Sequence, residues 1–336
     1  MPARFEMLDA DAGVFVFPDT PFDGLVAEFD GLLDGRERRA ASEKEYVAGL
    51  ERLIREEPDF VDAHAHLAYA WIEQGKPKKA LDASLAGLAR ANRLIPEGFA
   101  GRIEWGHLDN RPYLRAMHAA VLGYMRLRRH QDAAVLVERM LAFNPNDNQG
   151  VRYLLGSELI RAGEPGRARS VIEAECGNYP PYQYELALLH LQAGQWIAAA
   201  TALRRGFCAN PYIAEVLCGT SDPMPLAIWH GSNLAEPETA RDYVASYGAL
   251  WLRRPDFVAF VRWLFQHSRV LGERSAVLAC REELQWEREF KARSAVVDRL
   301  DQLEAAIDDA LSKELVVQRA DRQGRPIWPW MVHLLP

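Results

Sequence analysis

"LGSELIRAGEPGRARSVIEAECGNYP" occupies residues 155–180, and "LALLHLQAGQWIAAATALRRGFCANP" occupies residues 186–211. Laid on each other, the two align Leu155 with Leu186, Gly156 with Ala187, Gly163 with Gly194, Ala168 with Ala199 and Pro180 with Pro211. Counted from the Leu, the intervals to the later Gly, the Ala and the Pro are 8, 13 and 25 residues in both. Each position has a physical reason. Small residues at Gly156, Ala168, Ala187 and Ala199 let two helices approach closely. Gly163 and Gly194 end a first helix through a left-handed cap. The Pro stands where a second helix has to stop, because it cannot continue one.

Two earlier stretches fit the same scheme. Ala120, Tyr124, Ala133 and Pro145 repeat the 13- and 25-residue intervals between first, third and last positions. Leu67, Ala68, Trp71, Gly75 and Ala80 form a looser copy, with Pro96 displaced. A two-helix unit of about 34 residues with this pattern resembles the tetratricopeptide repeat, TPR. Such hairpins cannot bury their apolar faces singly, so they stack. The expected fold is therefore all-α: a TPR-type helical-hairpin solenoid over 44–218 with a C-terminal helical extension. Residues 44–57 read as an amphipathic helix covering the start of the stack, with Tyr46, Leu50, Leu53 and Ile54 on one face. Residues 1–43 read as an N-terminal arm, irregular over 1–35, and "VFVFPDTPFDGL" as a short strand or extended piece. Residues 219–318 read as helical. The stretch from Glu273 to Gln318 is one bent helix or a hairpin broken near Lys291 to Ser294. The Pro-rich apolar tail, 319–336, should pack back on the body.

The most polar run, Asn144 to Gly150 in "LAFNPNDNQGVRYLLG", holds three Asn, an Asp and a Gln. A calcium loop would need Gly at 149 and Glu at 155, where Gln149 and Leu155 stand. The run instead reads as a Pro turn followed by a cap from Asp147 or Asn148. With Ile103, Trp105, Gly106, Leu108, Asn110, Arg111, Pro112, Leu114 and Arg115 upstream, it resembles the TPR-like family named for the suppressor of tumorigenicity seven. Bacterial members combine a segment of the form I-x-W-G-x-L-x-N-R-P-x-L-R with L-N-P-N-D-N-Q-G-x-R. "RRGFCANPYIAEVLCG" is similar to a diverged third segment, and the resemblance covers about 96–265. It implies an interaction scaffold without a known catalytic activity.

A net charge of −7 and a pI near 5.8 argue against nucleic-acid binding, which needs clustered cations. Cys176, Cys208, Cys218 and Cys280 make no CxxC pair, so no zinc ribbon or redox dithiol is expected. The acidic N-terminal residues do not resemble a signal peptide, and no apolar run approaches the roughly 20 residues of a membrane span. The expectation is a cytoplasmic protein without cofactor, metal or membrane contact. His64 and His66 lie two apart on a predicted helix, a poor chelate, and read as exposed or groove residues. His230 and Ser232 lack a nucleophile elbow, and no P-loop, dinucleotide fingerprint or paired-carboxylate signature is present. No enzyme is expected.

The candidate site is the groove lined by the first helix of each repeat. Its residues are Arg115, His118, Met125 and Arg126 in the second repeat, Tyr153, Ser157 and Arg161 in the third, and Tyr184 and Gln192 in the fourth. Arg126 and Arg161 occupy equivalent positions. Guanidinium binds carboxylate bidentately and stacks on rings, so the expected partner is a protein or peptide that is acidic or ends in a free carboxylate. The Lys and Asn of chaperone-tail-binding TPRs would fall at Ala65 and Tyr69, so that specificity is not expected. Two other readings remain: an enzyme with its site in the C-terminal third, and an architectural protein that forms homodimers through helices 273–318.

Overall fold

In the computed structural model, residues 3–17, 19–321 and 323–331 are described. The chain forms two compact units, Met1–Glu164 and Pro165–Pro336. The fold is all-α: seventeen helices stand against two short antiparallel hairpins among the described residues.

The first unit opens with strands β1 (Arg4–Met7) and β2 (Gly13–Val16), paired from Arg4 opposite Val16 to Met7 opposite Gly13. Helix α1 follows (Asp19–Glu37), where the sequence suggested irregular chain. Gly24, Gly31, Gly35 and a Pro hide it from propensity, since glycine and proline are the poorest helix formers. Helix α2 (Glu43–Glu56) begins on a capping box: the Ser42 hydroxyl accepts from the Glu45 N–H, and the Glu45 carboxylate accepts from the Ser42 N–H. It buries Tyr46, Leu50 and Leu53 as its pattern requires, against α3 (Val61–Glu73). Helix α4 (Pro77–Asn92) closes the first hairpin; α5 (Arg111–Arg126) and α6 (His130–Phe143) form the second. Helix α7 (Arg152–Arg161) ends the unit. His64 does not reach the surface: it is buried beneath Gly87, where a β-carbon would stand 2.7 Å from the His64 Cβ. The missing side chain at Gly87 is what lets α3 and α4 meet.

One joint recurs. After α3, Lys76 N–H donates to the Trp71 carbonyl across a left-handed Gly75 at φ 69°. After α7, Glu164 donates to Leu159 across Gly163 at φ 79°. After α5 the same bond runs from Arg129 to Tyr124, but the left-handed residue is Arg128, at φ 59°. This is the Schellman ending that the Gly spacing announced.

The second unit repeats it. Helix α8 (Pro165–Glu175) is followed by the hairpin of α9 (Pro180–Gln192) and α10 (Trp196–Ala209), joined at Gly194 with φ 72°. Helix α11 (Pro211–Leu217) closes with Thr220 donating to Glu215 across Gly219 at φ 110°. It is a short helix with the same ending as the first helices before it, and it lies inside the 44–218 stretch that the spacing marked out. Next come α12 (Pro237–Tyr247), α13 (Ala249–Leu252), α14 (Pro255–Gln266) and α15 (Ser268–Trp286). Helices α16 (Phe290–Ala305) and α17 (Asp309–Leu315) precede strands β3 (Arg319–Ala320) and β4 (Pro326–Ile327). The long C-terminal stretch is thus a hairpin, and it breaks at Glu287–Glu289 rather than at Lys291–Ser294. Glu289 decides the place, because its carboxylate caps α16 at the Ala292 N–H.

The extension is fastened to α10 by a buried arginine. Arg204 Nε donates to Glu273 Oε2 at 2.8 Å, and its Nη1 reaches the Asp308 carbonyl at 2.7 Å and Ser312 Oγ at 2.8 Å. Trp330 sits among Trp196, Phe260, Trp263 and Trp328, with ring centroids 4.5–5.1 Å away. The last five residues of the tail, 332–336, lie outside the described residues.

Candidate functional site

The first two of the segments that carried the family resemblance meet in the first unit, mainly as backbone stitching. Asn110 is fully buried; its Oδ1 accepts from the Phe15 N–H at 3.0 Å, and its Nδ2 donates to the Gly13 and Glu104 carbonyls. Asn144 Oδ1 accepts from the Trp105 N–H at 3.2 Å. Asp147, at φ 47°, receives the Val151 and Arg152 N–H groups, both at 2.9 Å. It therefore does the capping expected of Asp147 or Asn148, from five residues before the first residue of the helix. The polar run is a joint. Among the described residues no group of three or more His, Cys, Asp or Glu is placed to hold a metal ion.

What this stitching positions is Trp105. The Arg111 and Arg115 guanidiniums lie over its ring, 5.2 and 5.6 Å from the centroid. Arg111 also donates to the Trp105 carbonyl at 3.1 Å. Arg115 reaches across from α5 to α3, where its Nη1 meets Asp62 Oδ2 at 2.6 Å. Asp62, His66 and Tyr69 lie four and three apart on α3, so they share the face turned to α5. Tyr69 OH donates to the Arg115 carbonyl (3.1 Å) and lies 2.9 Å from His118 Nδ1. Tyr46 OH is 3.2 Å from His66 Nδ1. Asp62 Oδ1 is buried without a hydrogen-bond partner; His66 Nε2 stands 3.8 Å from it.

Burial sets the protonation here. It pushes His66 below the usual imidazole value, against the pull of Asp62, and pushes His118 down against Asp147. It also raises Tyr69, and it lifts Tyr46 to about 12 with Arg36 opposing. At neutral pH the imidazoles and phenols are uncharged. The face then offers guanidinium N–H groups beside an indole, suited to holding an acidic or aromatic ligand.

The expected groove residues fall into three groups. Arg115 and His118 lie in this network. Arg126, the last residue of α5, is exposed and has no hydrogen bond or ion pair among the described residues; Met125 beside it is half-buried. Arg161, the last residue of α7, is its counterpart in position but not in environment. It lies 3.3 Å from Glu158 Oε1, and His130 Nδ1 lies 2.7 Å from Glu158 Oε2. Glu158 is fully buried, and a buried carboxylate needs such partners, so Arg161 is engaged within its own fold. Tyr153 is half-buried.

Ser157 and Tyr184 correct the expectation, because both are buried, Tyr184 with its hydroxyl donating to the Asn210 carbonyl at 2.7 Å. Tyr184 fills the space left by Gly206, where a β-carbon would stand 2.9 Å from its ring. Gln192 is exposed at the end of α9 and, like Tyr184, belongs to the second unit. Sequence reasoning read His66 as an exposed or groove residue and did not single out Asp62, Tyr69, Trp105 or Arg111 for the groove. The 62–66–69 spacing was available as a signal that these side chains share one helix face.

No protein-family model matches the chain, and no curated protein matches it. Among solved structures it is similar to a thermophilic TPR protein of Thermus thermophilus. That likeness has 18% identity, covers 54% of this chain and 90% of that one, and has a TM-score of 0.36. No helix among the described residues is long and apolar enough to cross a membrane.

Proposed function

We propose that this protein is a non-catalytic scaffold that binds a protein or peptide on the face shared by α3 and α5. Contacts centre on Trp105, Arg111 and Arg115 and run along α5 to Arg126. The observation that carries the reading is the pair of guanidiniums that lie over one half-exposed indole. That contact restrains them while N–H groups remain for a ligand, so less side-chain entropy is lost on binding. The partner is an acidic segment or a C-terminal carboxylate; Arg126 is its second anchor, and Arg161, held by Glu158, is a further cation along the same series of first helices. Kinship with the suppressor-of-tumorigenicity-seven-like TPR proteins, a bacterial origin and a cytoplasmic setting belong to the same reading; the four cysteines are free thiols.

The test is affinity capture from the native host with the full chain as bait, quantified by mass spectrometry. Partners recovered by the wild type should fall by roughly tenfold or more with Arg115→Ala plus Arg126→Glu, since a charge-assisted contact contributes about 1.5–3 kcal/mol. Trp105→Ala should lose the same partners. Equal recovery by all three proteins would move the binding surface off this face.

A further inference from the structure

Five elements of the second unit converge on a cavity of about 400 Å³: the α8–α9 loop, α9, α10, the 230–235 loop and the α15–α16 hairpin. That volume suits a small organic ligand. Two side chains on its wall are at odds with their burial. Gln183 and Arg281 are each only 9% exposed, yet Gln183 Oε1 and Arg281 Nη1 have no hydrogen-bond partner. The rest of each group is engaged: Gln183 Nε2 donates to the Cys176 carbonyl at 3.2 Å, and Arg281 Nη2 to Glu304 Oε1 at 3.0 Å. A buried polar atom left unpaired costs about 1–3 kcal/mol, and more when charged, so an acceptor and a cationic donor left unpaired in two side chains that line one cavity make it the candidate ligand position.

The other groups on the wall narrow the chemistry. Arg205 is committed to the Ile307 carbonyl through Nε at 3.1 Å and Nη2 at 2.8 Å. Tyr212 OH accepts from the Leu226 N–H at 2.9 Å, so its own proton goes to His230 Nε2, also 2.9 Å away. His230 thus accepts there, and burial lowers its affinity for a second proton. Arg281 is left to meet an anionic oxygen. Glu304, beside it and 40% exposed, meets a positive or N–H-bearing group together with Gln183. Burial lifts the Cys208 thiol to about 12 and raises Cys176 as well, so neither is a thiolate at neutral pH.

We infer that the second unit holds a pocket for a ligand presenting a carboxylate beside an N–H, the head group shared by a free α-amino acid and the last residue of a peptide. The carboxylate takes Arg281 Nη1, and the neighbouring ammonium or amide takes Gln183 Oε1 and the Glu304 side. This pocket is independent of the α3–α5 face.

Titration calorimetry on the full chain tests it with three probe sets: the twenty free amino acids, their N-acetyl forms and their carboxamides. At least one carboxylate-bearing probe should give saturable heat at micromolar to millimolar concentration, and its carboxamide should not. A free amino acid that outbinds its acetyl form makes the ligand a metabolite; the reverse makes it a peptide terminus; either supports the pocket. Arg281→Gln and Gln183→Leu should each weaken binding roughly tenfold or more. Ser232→Trp, at an exposed position on the rim, should block entry while circular dichroism stays unchanged, which keeps the test sound if Arg281→Gln unfolds the chain. Absence of saturable heat from every carboxylate probe, or equal binding of carboxamides, or binding undiminished in both Gln183→Leu and Ser232→Trp, overturns the inference.

Discussion

Arg128 stands where the other first helices end on glycine. Its φ of 59° is one that an L-residue adopts at a cost of about 1–2 kcal/mol, while its side chain is exposed. Replacing it with glycine removes that strain but restores backbone freedom to the unfolded chain, worth about 0.4–1 kcal/mol. Arg128→Gly should therefore stabilise by roughly 0.5–1 kcal/mol, seen as a higher urea midpoint at unchanged slope. Gly194→Ala, at φ 72°, is the mirror experiment and should destabilise by about 1 kcal/mol. A midpoint that moves the same way in both variants would mean that the left-handed joint is not what these residues are chosen for. The exception also explains a gap in legibility. The second repeat shows no Gly at the joint, so its hairpin was readable only from Ala120, Ala133 and Pro145.

At the scale of elements, α3 and α5 are joined by the Asp62–Arg115 ion pair and, around it, by imidazoles that burial keeps neutral. Burial holds His64, His66 and His118 below the ordinary imidazole value of 6.5. Carboxylates nearby pull the other way, Asp59 on His64, Asp62 on His66 and Asp147 on His118, while Arg90 acts with burial on His64 and Arg36 and Arg115 act with it on His66. The unfolded chain takes up these protons near 6.5; the folded chain resists until lower pH. Their contribution is thus complete above 6.5 and is lost as the pH falls through 6.5 towards the folded values, with a slope of up to about 1.4 kcal/mol per pH unit for each residue. Urea midpoints should fall between pH 7 and 5.5. His118→Gln, which can still bond Tyr69, should flatten that fall, and an unaltered slope would remove His118 from the account. The hairpins themselves were legible because close helix contact demands small residues at fixed intervals. The pairing of Asp62 with Arg115 was not, because a spacing of 53 residues leaves no periodic trace. Tyr184 was misassigned to the groove for a related reason. Position along a first helix sets its angle, but only the neighbour's Gly206 decides that the ring sinks inward.

On the scale of the whole molecule, each unit ties a chain terminus to a repeat helix with a few large contacts. In the first, Asn110 at the start of α5 holds β2. In the second, Trp330 is 1% exposed against Trp196 at the start of α10, and the short helical turn that carries it packs on α14. A tryptophan so enclosed contributes through area and ring packing; truncation to alanine in a site that cannot collapse costs about 3–5 kcal/mol. Trp330 Nε1 has no hydrogen-bond partner, so the indole is there for its shape rather than its donor. Two variants separate these roles. Trp330→Phe gives up no bond and part of the volume, and should cost well under half of what Trp330→Ala does. Trp330→Ala should lower the thermal midpoint by several degrees and expose β3 and β4 to protease, since they lie between α17 and the anchor. If the alanine variant melts within about 0.5 kcal/mol of the wild type, the aromatic box stands without its tail, and Arg204 with its bonds to Glu273, Asp308 and Ser312 carries the fastening of the extension by itself.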